Sequence, residues 1–182
     1  MNRTGMLLIG GIDYITNKLH RKRPVSFQEH LKKSNTILVI CPPGKLVFEN
    51  QKQIGHILSL FSNKQLTIVH HNSELQTNEN IFDPPLPSVN LNSLSFWEAL
   101  STPSLETFQT GGHCDLLIKL DPEDRGIYRF LKRRCKPHFI LDVVRHGASS
   151  DAHFVFNMTS DQLGPSLEKL TELIESALSD KR

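Results

Sequence analysis

The sequence predicts a single α/β domain with a doubly wound, mostly parallel sheet and helices on both faces. Short apolar runs rich in β-branched residues alternate with segments of helical periodicity, which is typical of parallel strands joined by crossover helices. One apolar run, residues 116–120, leads directly into a helix start, because Asp121 can cap a helix and Pro122 suits its first position. Glu123 and Asp124 then stand at the positive end of the helix dipole.

Composition limits the domain count and the classes of partner. With 182 residues, of which 38% are apolar, the chain can bury one core of ordinary size and is too short for two full domains. A formal net charge of +2 and the lack of arginine-rich blocks interleaved with aromatics argue against a nucleic-acid partner. Cys41, Cys114 and Cys135 form no CxxC pair, which indicates a reducing compartment and space-filling roles for all three.

The first 33 residues are predicted to form a basic, amphipathic helical arm, and residues 34–182 form the domain itself. We expect the arm to pack on this domain, because its apolar stripe is narrow and lacks Phe or Trp anchors. Contact with anionic lipid is the alternative. The sequence shows no secretory signal and no apolar run near the roughly 20 residues that span a bilayer. We therefore expect a cytoplasmic protein, at most peripheral to the inner face of the membrane.

Residues 26–69 are predicted as helix, strand, helix and strand. Ser26 can cap a short helix that ends at Leu31, and the apolar run 36–40 is a central strand that ends at two prolines. A helix follows over 48–61, with apolar positions 54, 57, 58 and 61 turned inward, and then a strand over 66–69. Such a strand, helix and strand form a right-handed parallel crossover.

The second half is predicted from further segments of regular periodicity. These are a strand at 116–120, a helix at 123–134, strands at 138–141 and 153–156 around a turn at 147–150, and a helix from 165 to 178. Between the two halves, residues 70–112 are polar and interrupted by prolines, so that only a short helix at 94–100 is predicted there. The whole pattern predicts a Rossmann-like domain, which binds ligands in the crevice beyond the carboxyl ends of its strands.

Four residues at that edge are the candidate ligand contacts: Gly44, Lys45, Asp121 and Arg125. The two cations suit an acidic sugar or a phosphate, and the carboxylate suits hydroxyl groups. The turn before Lys45 can also offer backbone N–H groups to an anion. Against a phosphate site, the turn lacks the GxxxxGK[ST] and GxGxxG patterns, and its two prolines remove donors where a phosphate needs them.

Metal and acid/base chemistry find less support. The His70-His71 and His113-Cys114 pairs lie near the carboxylate of Asp115, but neighbouring strand residues point to opposite faces and no HxxxH or CxxC spacing is present. We therefore predict no metal and no cofactor. An acid/base group can form after the fourth strand, although a solvated charged loop explains the same residues equally well; they are Asp142, Arg145 and His146. No catalytic residue is assigned.

Five features follow one another along the chain: a basic cluster at 18–23 before the strand ILVI at 37–40, the strand LTIVH at 66–70, the strand DLLIKL at 115–120, His153 with Asn157, and a leucine-rich helix at 167–178. This order resembles the N-terminal half of the family 9 glycosyltransferases, the heptosyltransferase-type enzymes of bacterial envelope polysaccharide synthesis. The resemblance implies a Rossmann-like fold and an acceptor-like glycan as ligand.

The chain departs from that family at two points. The resemblance implies a catalytic base in a Gly-Asp pair of the first loop, and Gly44-Lys45 stands at that place. A protonated lysine cannot accept the proton of an attacking sugar hydroxyl, and Glu49 lies a helical turn further on. The family also holds its nucleotide sugar in a second Rossmann-like half, which we do not expect in this chain.

Three functional hypotheses follow. The leading one is a glycosyltransferase-like domain that lacks catalysis of its own and binds an acceptor-like glycan or a partner protein. The second is a small α/β enzyme acting on a phosphorylated or nucleotide ligand in the same crevice. The third is one half of a split two-chain glycosyltransferase, whose partner protein carries the half that binds the nucleotide sugar.

Overall fold

The computed structural model describes residues 26–42, 45–70, 88–90, 114–122, 126–158 and 161–179. These residues contain five helices and six strands. In chain order they are α1 (Phe27–Lys33), β1 (Thr36–Ile40), α2 (Lys45–Glu49), α3 (Gln51–Ser59), β2 (Gln65–His70), β3 (Ser88–Asn90), β4 (Leu116–Lys119), α4 (Gly126–Cys135), β5 (Phe139–Val144), β6 (Phe154–Asn157) and α5 (Leu163–Leu178).

The strands form one sheet in the order β3-β2-β1-β4-β5-β6, and every neighbouring pair is parallel. The predicted Rossmann-like α/β fold is confirmed. The strand order reverses direction between β1 and β4, where Ile37 lies opposite Leu116. In open α/β sheets this switch point opens the crevice that takes ligands, beyond the carboxyl ends of the strands.

The two faces of the sheet have separate apolar cores. On one face, alternate residues of the central strands pack against α1, α3 and α5 through side chains such as Leu31, Ile57 and Leu170, all fully buried. On the other face, Leu117 and Ile140 pack against Leu131 of α4. Full burial of each such side chain stabilises the fold by about 1.5–3 kcal/mol. Because successive strand residues point to opposite faces, the parity of a strand residue decides which core it joins.

Asp115 joins β1 and β4 at the amino ends of the strands. Its Oδ2 accepts hydrogen bonds from the backbone N–H of Asn35 at 2.8 Å and of Thr36 at 3.0 Å, and from Thr36 Oγ1 at 3.0 Å. Partial burial acts to raise the pKa of Asp115, but the hydrogen bonds from Thr36 and Asn35 outweigh it and hold the pKa below its usual value. The first residue of the DLLIKL segment therefore has a structural role, at the edge opposite the ligand crevice.

Several predicted elements are confirmed closely. Ser26 caps α1 through a capping box: its hydroxyl accepts from the N–H of Glu29, and the Glu29 carboxylate accepts from the N–H of Ser26. The predicted strand 36–40 is β1, and predicted strands 66–69 and 116–120 match β2 and β4 within a residue at each end. Strong apolar patterning explains this accuracy.

Other boundaries were wrong. The predicted helix 48–61 is two helices, α2 and α3, which begin at Lys45 and are separated at Asn50. The Asn50 side chain donates through Nδ2 to the carbonyl of Leu46 at 2.8 Å, and such local bonding competes with regular helix. The strand β3 was not predicted, and β5 extends three residues beyond its predicted end, to Val144.

Some predictions fall outside the described residues. These are most of the basic arm, the helix at 94–100, and the first three residues of the helix predicted at 123–134. Gly44 and Arg125, two of the four candidate ligand residues, lie outside as well.

Candidate functional site

A buried ion pair lies at the carboxyl ends of β4 and β5. Lys119 and Asp142 are register partners on these neighbouring strands, and Lys119 Nζ lies 3.0 Å from Asp142 Oδ1. Their side chains are only 3% and 4% exposed. Lys119 lies two residues after Leu117 and Asp142 lies two residues after Ile140, and Leu117 and Ile140 both pack against α4. Since alternate strand residues share a face, Lys119 and Asp142 belong to the face of the sheet that α4 covers. Two charges taken out of water carry a large desolvation cost, so a pair at the ligand-binding edge of such a sheet is a candidate functional feature.

The loop after β5 is tied to this pair. Ser150 Oγ donates to Asp142 Oδ2 at 2.5 Å and accepts from the backbone N–H of Ala152 at 3.2 Å. The chain turns before Ser150 at Gly147, whose φ of 81° lies in the left-handed region that glycine adopts without strain. Asp142 therefore uses one oxygen to hold Lys119 and the other to hold the loop.

Helix α4 binds the same loop through Asp151. Tyr128 donates its hydroxyl to Asp151 Oδ1 at 3.1 Å, and Lys132 Nζ lies 2.5 Å from Asp151 Oδ2. The hydrogen bond from Lys132 is the main cause that holds the pKa of Asp151 below its usual value, so this carboxylate is ionised at neutral pH. Lys119 Nζ also lies 5.3 Å from the centre of the Tyr128 ring, within reach of a cation–π interaction.

Between α4 and the loop lies a cavity of about 660 Å³, which we call the basic cavity. Of the described residues that line it, four are cationic and two are acidic: Lys119, Arg129, Lys132, Arg133, Asp142 and Asp151. Ser149 and Ser150 add hydroxyl groups to the lining. A volume in this range is typical of small-molecule sites, and the cationic excess favours an anionic ligand.

Of the four predicted ligand residues, Lys45 and Asp121 are described, and neither is among the described residues that line the basic cavity. Lys45 begins α2, its side chain is 81% exposed, and its Nζ lies 3.4 Å from Glu49 Oε1. Asp121 follows β4 and is buried. The next residue, Pro122, lines the basic cavity. Asp121 therefore precedes a lining residue without lining the cavity itself, whereas Lys45 makes a solvent-exposed ion pair on its own helix.

Sequence reasoning missed Lys119 and misplaced Asp142. Asp142 was predicted in the loop after a strand that ended at residue 141, together with Arg145 and His146, whereas it lies buried inside β5. Arg145 and His146 are exposed. One signal was available: a lysine at the end of the otherwise apolar run LLIK is unusual for a strand buried on both faces.

Both carboxylates of the basic cavity are already engaged, each by one lysine and one hydroxyl group. The oxygens of both carboxylates position these donors. This arrangement fixes two lysine ammonium groups and a loop around a polar cavity, which suits recognition of an anion by charge-assisted hydrogen bonds.

No family model matches the chain, and no curated protein matches its sequence. Across the described residues, no helix is both long and apolar enough to cross a membrane. Within the same residues, no group of three His, Cys, Asp or Glu side chains is placed to hold a metal ion.

Proposed function

We propose that this chain is a glycosyltransferase-like domain that binds an acidic sugar, a carbohydrate carrying a phosphate or a carboxylate, in the basic cavity. We further propose that it binds this ligand without transferring a glycosyl group itself. The observation that carries the proposal is the cationic excess of a cavity at the carboxyl ends of β4 and β5. This is the edge at which sheets of this topology bind ligands.

The chemistry of the lining supports an anionic ligand. Arg129 and Arg133 can each present a planar fork of donors, which matches the geometry of a phosphate or a carboxylate. The ammonium groups of Lys119 and Lys132 are held in place by their carboxylate partners, so little ordering is needed when an anion arrives. The hydroxyl of Ser149 and the sequence resemblance to family 9 glycosyltransferases both support a carbohydrate as the rest of the ligand.

The same contacts support binding rather than group transfer. A sugar hydroxyl that attacks an anomeric carbon needs a proton acceptor. The two carboxylates of the basic cavity each already accept from a lysine and a hydroxyl group, and Lys45 stands where the resemblance implies a base. A second candidate function is an enzyme that acts on a phosphorylated or nucleotide ligand in the same cavity. The test below distinguishes this enzyme from a binding domain.

The test is isothermal titration calorimetry of the purified chain with glucuronate, glucose 1-phosphate, UDP-glucose and neutral glucose. We expect the acidic sugars to bind and glucose not to bind. Arg133→Gln removes one cation from the lining, and we expect at least a fivefold loss of affinity, since one partly exposed charge-assisted hydrogen bond contributes about 1 kcal/mol.

The matched control is Arg134→Gln. Arg134 is the next residue on α4, is exposed like Arg133, and lies outside the described lining of the basic cavity. Equal losses in both variants would show a general charge effect and contradict the proposed site. Release of UDP from UDP-glucose by the wild-type protein would favour the enzyme instead. Absence of binding by every probe would turn the search toward a protein partner.

A further inference from the structure

A second cavity lies on the opposite face of the sheet, between α2, α3 and the start of α5. Its volume is about 610 Å³, and we call it the polar cavity. Its lining combines three carboxylates and three amides, which are Glu49, Asn50, Gln53, Asp161, Gln162 and Glu168. Arg145 is the one cation among its described lining residues, so its charge balance is opposite to that of the basic cavity.

The two cavities meet along the carboxyl edge of the sheet. Pro122, after β4, lines both of them. At the end of β5, Val144 lines the basic cavity and the next residue, Arg145, lines the polar cavity. The two linings therefore share Pro122, at the edge where Rossmann-like sheets bind extended ligands.

The polar cavity suits a neutral, hydroxyl-rich ring. Carboxylate oxygens accept hydrogen bonds from hydroxyl groups, and amides both donate and accept. The three carboxylates disfavour an anion there. Apolar side chains, including Leu46 and Met158, complete the lining and can pack against the C–H face of a sugar ring.

Two contacts order this lining before any ligand is present. Gln53 Nε2 donates to Glu168 Oε1 at 3.1 Å, which joins α3 to α5. Asn50 is only 7% exposed, and Gly164 approaches it so closely that an added Cβ would lie 2.9 Å from Asn50 Oδ1. The wall of the polar cavity therefore depends on glycine at the first turn of α5, and its amide and carboxylate groups are preorganised.

We infer that the two cavities bind two parts of one ligand: a phosphate or carboxylate group in the basic cavity and a neutral glycosyl unit in the polar cavity. This inference rests on the proposed function and specifies its ligand as an acidic glycan of at least two parts, rather than a free anion or a single neutral sugar. Glu168 is then a specificity-determining residue for the neutral unit, and Arg133 serves the acidic group.

The experiment measures the affinities of inorganic phosphate, glucose 1-phosphate and maltose 1-phosphate for the full chain by calorimetry. We expect affinity to rise at least fivefold from inorganic phosphate to the tightest sugar phosphate. Glu168→Gln should remove most of this gain and leave the affinity for inorganic phosphate unchanged. The matched control is Glu172→Gln, since Glu172 is exposed on the same helix and lies outside the described lining of the polar cavity.

The outcomes separate this inference from the proposed function. If phosphate binds in an Arg133-dependent manner but neither sugar phosphate binds more tightly, the basic cavity is retained and the two-part ligand is wrong. The same conclusion follows if the gain survives in Glu168→Gln or falls equally in Glu172→Gln. If none of the three probes binds, both ideas fail together. Both glutamates are exposed, so the variants should fold, and their thermal midpoints check this.

Discussion

Breaking the buried ion pair should destabilise the protein strongly. In Asp142→Asn, the Lys119 side chain, which is 3% exposed in the wild type, loses the carboxylate that lies 3.0 Å from its Nζ. The amide that replaces it can still accept from Ser150, so the loop contact is largely preserved while the charge of Lys119 is left uncompensated. The variant therefore isolates the cost of one unpaired buried charge.

The magnitude follows from the geometry. At 3.0 Å and an effective dielectric constant near 20, the attraction between the two charges is about 5.5 kcal/mol. Removal of one partner of a buried pair typically costs about 3–5 kcal/mol, because the remaining charge keeps its desolvation penalty. For a chain of this size each kcal/mol lowers the thermal midpoint by about 2–4 °C, so we expect a fall of about 6–20 °C in Asp142→Asn.

Urea unfolding followed by circular dichroism measures the free energy of unfolding for Asp142→Asn, for Lys119→Met and for the double variant Lys119→Met/Asp142→Leu. Each single variant should lose about 3–5 kcal/mol, whereas the double variant should lie within about 1 kcal/mol of wild type, because it leaves no unpaired charge. The control is Lys45→Met, which breaks an exposed pair with Glu49 and should cost less than about 0.5 kcal/mol. A loss below about 1 kcal/mol in both single variants would refute the reasoning.

Two further predictions concern titratable side chains. Burial is the main cause that lowers the pKa of His30 and of His153 below the ordinary value of 6.5, so the unfolded chain binds protons more readily than the folded chain. The free energy of unfolding should therefore be largest above pH 6.5 and decrease as the pH falls below it, and this decrease should be smaller in His153→Gln. Urea unfolding at pH values from 8 to 5 measures it, and an equal decrease in wild type and His153→Gln would contradict the prediction. Burial also raises the pKa of Cys41 and of Cys114 to about 12 and that of Cys135 to about 11. All three thiols should therefore react with an aromatic disulfide reagent at pH 8 only when the chain is unfolded, and rapid reaction of the native protein would contradict this.

The fold was predictable because its signals are local. The apolar run at β1 and the Ser26 cap of α1 each lie within a few residues of sequence, and both were placed correctly. The short strand β3 carries no such signal: its three residues, Ser88–Asn90, follow a proline-bearing stretch and join the sheet by pairing with β2. Tertiary pairing, which the local sequence does not report, made it a strand.

The centre of the site was not predictable in the same way. Lys119 and Asp142 are 23 residues apart, and they meet only because β4 and β5 pair in the register that sets Leu116 opposite Phe139. A shift of one residue in that register would turn one charge toward the other face of the sheet. The sequence does show that Lys119 and Asp142 each interrupt an apolar run. That the two residues pair with each other, however, follows only when both the order of the strands and their register are known.

The buried pair also connects stability with binding. An apolar replacement of a buried ion pair is often neutral or stabilising, so a pair kept at the ligand-binding edge is better explained by what it positions than by what it stabilises. Here Asp142 fixes both the ammonium group of Lys119 and, through Ser150, the loop that closes the basic cavity. The double variant Lys119→Met/Asp142→Leu should therefore retain the stability of the wild type and lose affinity for glucose 1-phosphate at least tenfold. If that variant binds the sugar phosphate as well as wild type, the pair serves only the register of the sheet, and the basic cavity must recognise its ligand through the arginines of α4 alone.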